Sequence, residues 1–274
     1  MLYLKSYCYS KHELPFVIAN LIEGWDFIDK LCLYEYNFTH TGIKKDYEME
    51  TVINLIPENL LSKLYYKKVD ITNYVEYAYN DSKLIHSVNE PIQRSWFFND
   101  PSFNLQDNDI IIDHDIDEII YKNSYTPLIE ELNKKGPLSI KLNQFFFKNN
   151  YLWTNCNFSS PTIYKYSMVK NNNTRKKGIL IRNLRDLPNK TTTQYGCHMS
   201  WVMPIEYMLK KFHKYSHPEY RKFADKEVLQ KAIDDKVYVF DLRKPFNIEV
   251  LDFTDEKIPR YLQNDNIFDY ITKP

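Results

Sequence analysis

The sequence predicts an α/β fold: a mostly parallel central sheet flanked by helices, in one domain spanning residues 1–274. Three observations predict it. Strand-like and helix-like segments alternate along the chain and do not separate into blocks. The segment DIIID at 109–113 is almost wholly apolar, as a strand covered on both faces must be. No segment repeats at a solenoid period, and no shift in composition divides the chain.

In order, LYLKSYCYS (2–10) reads as a strand, and ELPFVIANLI (13–22) as a helix with Pro15 in its first turn. KLCLYEYN (30–37) is a second strand, IPENLLSKLYY (56–66) a short helical pattern and KKVDI (67–71) a further strand. LIEELNKK (128–135) is helical and is stopped by Gly136 and Pro137. LSIKLNQFFF (138–147) alternates as a strand does, with Ile140, Leu142 and Phe146 to one side. In PIEYMLKKFHKY (204–215), Ile205, Met208, Leu209 and Phe212 recur at i, i+3, i+4 and i+7, the spacing of an amphipathic helix. DKEVLQKAIDDK (225–236) is another helix, and VYVFDL (237–242) reads as a late strand. KNNNTRKK (170–177) is an exposed loop.

Hydrophobic residues make up 43% of the chain, enough to bury a core. Lys plus Arg equals Asp plus Glu at 36 each, so no global field steers the protein onto nucleic acid or anionic lipid. Cys8, Cys32, Cys156 and Cys197 stand far apart without a C-x-x-C, which excludes a zinc ribbon and fits a reducing compartment. The start, MLYLKSYCYSKHELPF, lacks an apolar leader, and no run of 18 apolar residues occurs, so neither a signal peptide nor a membrane span is expected. A cytoplasmic protein is the expectation. The Asn-, Lys-, Ile- and Tyr-rich composition points to an AT-rich bacterial or viral genome.

The chemistry concentrates in DNDIIIDHDIDEII (107–120), where an apolar strand runs into Asp113, Asp115, Asp117 and Glu118. If the chain stays extended, Asp115 and Asp117 leave on one side, with Cα atoms roughly 6.5–7 Å apart, and Ile116 and Glu118 on the other. Ligand crevices of open α/β sheets lie outside the carboxyl ends of the strands, where these acids fall. Neighbouring carboxylates repel, and a hard divalent cation, Mg²⁺ or Mn²⁺, relieves that while leaving positions open for phosphate oxygens. Two readings survive at this point: a sugar-nucleotide transferase, or another metal-dependent phosphate-processing enzyme. A solvated turn is the bland alternative.

Four segments resemble glycosyltransferase family 17. SKHELPFVIANLIEGWDFIDKLCLYEYNFTHTGIKK resembles its N-terminal block through Glu13, Glu35, Asn37, Thr39, Thr41, Gly42 and Lys45. IQRSWF carries a Gln-Arg pair at Gln93 and Arg94, and DIIIDHDIDEI matches an Asp-x-Asp-Glu-Ile block at Asp115, Asp117, Glu118 and Ile119. GCHMSWVMPIEYMLKKFHKYSHPEY is similar to a Trp-His-x-Ser segment, a helix and His-x-Glu, matched by His198, Ser200, Lys211, His217 and Glu219. The blocks keep their order over roughly residues 1–235. Cys197 stands where the family has Trp, and the membrane anchor and stem of the animal enzymes are missing.

The resemblance implies a GT-A fold, a UDP-sugar donor (N-acetylglucosamine in the family), a divalent ion, a glycan acceptor and inversion at the anomeric carbon. The expected roles follow. Asp117 contacts the metal, and Asp115 binds the ribose, or the metal through water. Arg94 pairs with the diphosphate, or merely with a surface acid. Glu35 and Asn37 meet the uridine, with Lys45 adding charge. His217 is the expected third metal ligand, with His198 second in line. Glu219, then Glu118, is the expected base, although Glu118 on an extended chain would instead brace the loop. The rivals are a metal-dependent nucleotide-sugar hydrolase or phosphotransferase, and a non-catalytic carbohydrate-binding module. The oligomeric state is not legible.

Overall fold

The first strand shows how the sheet is built. Along LYLKSYC every residue is buried, yet the side chains divide by parity: Leu2, Leu4 and Cys8 enter one apolar cluster, Tyr3 and Tyr7 another. Such a strand must be central, and it pairs in parallel on both sides.

The structure, a computed structural model, describes residues 1–75, 89–182, 184, 187–214, 218–241 and 244–271. Among them the strands are β1 (Leu2–Cys8), β2 (Lys30–Tyr36), β3 (Leu64–Val69), β4 (Ile110–Asp113), β5 (Glu118–Ile120), β6 (Leu138–Phe146), β7 (Tyr151–Trp153), β8 (Thr162–Lys165), β9 (Arg175–Lys176), β10 (Ile179–Leu180), β11 (Lys190–Ser200) and β12 (Ile248–Val250). The α-helices are α1 (Leu14–Gly24), α2 (Glu58–Leu61), α3 (Glu90–Ser95), α4 (Tyr125–Lys135), α5 (Ile205–Lys214) and α6 (Lys226–Asp234). None is long and apolar enough to cross a membrane.

The main sheet runs β12-β7-β6-β8-β4-β1-β2-β3, with β11 alongside β6 and β5 alongside β11. The expected α/β architecture is present, in a mixed sheet and not the mostly parallel one the sequence predicts. Its parallel part is β4-β1-β2-β3 together with the β11–β6 pair, while β8, β7, β12 and β5 join antiparallel.

One face of the sheet packs Leu4, Leu31, Leu33 and Ile112 against α1 and α4. The opposite face is aromatic, with Tyr3, Tyr34, Tyr36 and Phe97. On that face Lys5 and Asp113, register partners on β1 and β4, form a buried ion pair at 2.5 Å. A third cluster gathers Phe146, Phe147, Trp153, Trp201 and Phe212 with Leu229 of α6.

Two expectations are corrected. The late strand is Ile248–Val250, and residues 237–241 form loop and turn, because Tyr238, Val239 and Phe240 pack into the third cluster and not into a sheet. The acid segment does not continue extended past Asp113. The chain turns through Ile116 and Asp117, and the Glu118 N–H donates to the Asp115 carbonyl at 2.9 Å.

Candidate functional site

A cleft of about 370 Å³ opens past the carboxyl ends of the parallel strands. Its floor comes from residues following β1 (Tyr9, Ser10, His12, Glu13), β2 (His40) and β4 (Asp115, Asp117). Parallel strands finish on one edge of a sheet, so segments distant in sequence converge there. The far wall is the end of β11 and the middle of α5, with His198, Ser200, Trp201, Lys210 and Lys211.

The acid turn is held from both sides. Asp115 accepts from Arg94 Nη1 at 2.7 Å, from Nη2 at 3.4 Å and from the Tyr7 hydroxyl at 2.9 Å. Arg94 Nε donates to Glu90 Oε1 at 2.6 Å, and the guanidinium lies 4.9 Å from the Tyr7 ring centre. Arg94 therefore forms no surface salt bridge; it is a buried cation shared by two cleft carboxylates. Glu118 is fully buried and accepts from the Asp115 N–H at 2.6 Å, so it braces the turn.

Asp117 lies 3.7 Å from His198 Nε2. The Gln144 amide donates to the Phe145 carbonyl at 2.8 Å, which leaves its oxygen to accept from His198 Nδ1 at 2.9 Å. Nδ1 therefore carries a proton, and Nε2 is the ring nitrogen that faces Asp117. Its ring packs on Phe158, with centres 4.1 Å apart. Burial pushes the Asp117 carboxyl up, but His198 and Lys211 outweigh it, and the net shift is down. For His198, burial disfavours the cation, yet Asp117, Glu118 and Asp115 raise its pKa.

Two cleft residues, Glu13 and His40, had no role in the sequence reading. Glu13 opens α1 and accepts from the Tyr9 and Ser10 N–H groups at 2.6 and 3.1 Å. Burial, with a smaller contribution from Asp117, pushes its carboxyl up to about 7, against those backbone donors and Lys211. His40 is buried edge-on against Tyr7 and Tyr9, and burial pushes its pKa down to about 4, which keeps it neutral. Trp201 turns the chain out of β11 in the left-handed region, φ 57°, a conformation that costs a bulky residue energy. The spacing of Glu13 and His40 carries no signal of a shared cleft; only the family resemblance, through Glu13, touched either.

Other expected residues lie elsewhere. Glu35 is fully buried at the end of β2, taking hydrogen bonds from Lys45 Nζ (3.2 Å), the Met49 N–H (3.2 Å) and the Tyr66 hydroxyl (2.6 Å). Asn37 is occupied by Asp70, Thr72 and the Ile71 N–H. Glu35 and Lys45 tie β2 to its following loop, Asn37 ties it to the segment after β3, and none of the three lines the cleft. His217 lies outside the described residues, and Glu219 falls on the short helix Pro218–Phe223.

Among the described residues no three His, Cys, Asp or Glu side chains form a group able to hold a metal ion. Asp115 and Asp117 supply two oxygen donors in one cleft. That set does not fit a closed protein cage. It fits an open site, where a hard cation takes two carboxylates and completes its shell with phosphate oxygens and water.

No family model matches the chain, and no curated protein matches it. Among solved structures it is similar to S. aureus TarS 1–349, with a TM-score of 0.39 and 10% identity over 75% of this chain. The chain spans 61% of that TarS chain.

Proposed function

We propose that this chain is a glycosyltransferase that moves a sugar from a nucleoside diphosphate sugar to a hydroxyl group of a glycan. The observation that carries the reading is the acid turn: Asp115 and Asp117 share one cleft at the end of a buried parallel strand, facing Arg94, His198 and Lys211. A diphosphate needs positive charge around its oxygens as its bond to the sugar breaks. The guanidinium of Arg94 has the planar fork that suits phosphate oxygens. Lys211, on α5, brings a second cation to the opposite wall. Asp115 and Asp117 would hold a divalent cation, Mn²⁺ or Mg²⁺, which when bound neutralises the diphosphate. The four-block resemblance to family 17 supports UDP as the nucleotide, N-acetylglucosamine as the sugar and inversion as the stereochemical course.

Titration calorimetry with UDP, with and without Mn²⁺, tests the reading. Wild-type protein should bind UDP more tightly with Mn²⁺, and Asp117→Asn should lose that increment. Equal affinity in Asp117→Asn removes the site assignment. Product analysis then separates transfer to an added glycan from release of free sugar or phosphate. A protein that binds glycan and ignores UDP is a carbohydrate-binding module.

A further inference from the structure

Transfer with inversion needs a group to take the proton of the attacking hydroxyl. Among the described residues, the cleft carboxylates are Glu13, Glu90, Asp115, Asp117 and Glu118. Four of them have other work. Glu90 pairs with Arg94 at 2.6 Å, Asp115 with Arg94 and Tyr7, Asp117 faces His198, and Glu118 is fully buried under the Asp115 N–H.

Glu13 differs from these four. Both of its hydrogen bonds, from Tyr9 N–H and Ser10 N–H, go to Oε2. Two backbone donors on the turn between β1 and α1 thereby fix the carboxylate, and neither of these bonds engages Oε1. The fields of Asp117 and Lys211 both reach it, so it shares the cleft with the acid turn and the α5 wall. A carboxyl pushed up to about 7 matches the proton affinity of a base working near neutral pH.

We propose that Glu13 is the general base of this site, an inference that rests on the glycosyl-transfer reading. Oε1 takes the proton of the acceptor hydroxyl, or of water, as that oxygen bonds to the anomeric carbon. The bond from the anomeric carbon to the β-phosphate oxygen breaks, and its electron pair leaves with the diphosphate.

The test uses the full chain with Mn²⁺ and UDP–N-acetylglucosamine, and follows UDP release, with water as acceptor if no glycan serves. Glu13→Gln keeps an acceptor for the two N–H groups but cannot take a proton. It should bind UDP within about threefold of wild type and lose at least about 100-fold in kcat with KM little changed. Glu13→Asp, still a base but one methylene short, should fall between the two. Glu13→Gln with kcat within fivefold of wild type and intact UDP binding overturns the role of Glu13 alone. Folded Glu13→Gln that loses UDP binding makes Glu13 a binding residue and also overturns it. Wild-type protein that neither binds UDP nor releases it from the donor overturns the transfer reading, and Glu13 falls with it. If Glu13→Gln does not fold, Glu13→Asp decides, and wild-type turnover in that variant refutes the proposal.

Discussion

Gly196 is the point at which a single methyl group should disturb both stability and the site. It stands on β11 opposite Ile120 of β5, and a Cβ added there would lie 2.0 Å from the Ile119 carbonyl oxygen, 2.9 Å from its carbon and 3.0 Å from the Ile120 Cα. All three obstacles are backbone, so no side-chain rotation relieves them. Ordinary carbon–oxygen contact needs more than about 3 Å, so β5 must move away by about 1 Å or more. Overpacking of this kind costs about 1–3 kcal/mol, and the strained β5–β11 ladder takes Gly196→Ala to the upper end. At about 2.1 cal/mol/K per residue of unfolding entropy, 3 kcal/mol lowers Tm by about 5 °C in a chain of this size. The shift also reaches the acid turn, because the Met199 N–H donates to the Asp117 carbonyl at 2.8 Å and β5 begins at Glu118. Thermal denaturation followed by circular dichroism measures the first effect, and UDP titration with Mn²⁺ the second. Gly196→Ala melting within 1 °C of wild type with unchanged UDP affinity would refute the argument.

Other outcomes are equally specific. Lys5→Met strands Asp113 in a site where the two side chains are 3% and 1% exposed, and should cost about 3–5 kcal/mol in urea denaturation. Lys5→Met with Asp113→Leu should recover most of that, and a double variant no better than the single would disprove it. His40 is neutral when folded, with its pKa pushed from 6.5 to about 4, so its contribution to stability is present above pH 6.5 and lost as pH falls toward 4. His40→Gln should flatten that decline, and identical slopes would count against the burial of His40. Glu13 has the opposite sign. Its folded pKa is raised from 4.5 to about 7, so the stability from its protonated form is present below pH 4.5 and lost as pH rises toward 7. Glu13→Gln should remove that loss in denaturant melts between pH 5 and 8, and an unchanged profile would contradict it.

The sequence by itself determined the parallel half of the fold. The continuously buried run of β1 and the apolar run of β4 are local signals, strong because these strands are covered on both faces. It also marked the acid turn and Arg94, since charges beside a buried strand stand out in any window. What it did not carry was the direction of the chain after Asp113. Extension and a turn are equally compatible with DHDIDE, and the choice is made by the Glu118 carboxylate on the Asp115 N–H and by β11 pairing with β5. Glu35, Asn37 and Lys45 read as ligand contacts because strand-end polar groups look alike in sequence, whether they meet a ligand or a loop. Glu13 and His40 were the reverse case, ordinary residues whose roles arise only when strands β1, β2 and β4 end on one edge. Local pattern decides which segments form strands, because pleating and burial act over a few residues. Parallel pairing then joins positions up to about 100 residues apart, and only that long-range packing assembles the cleft.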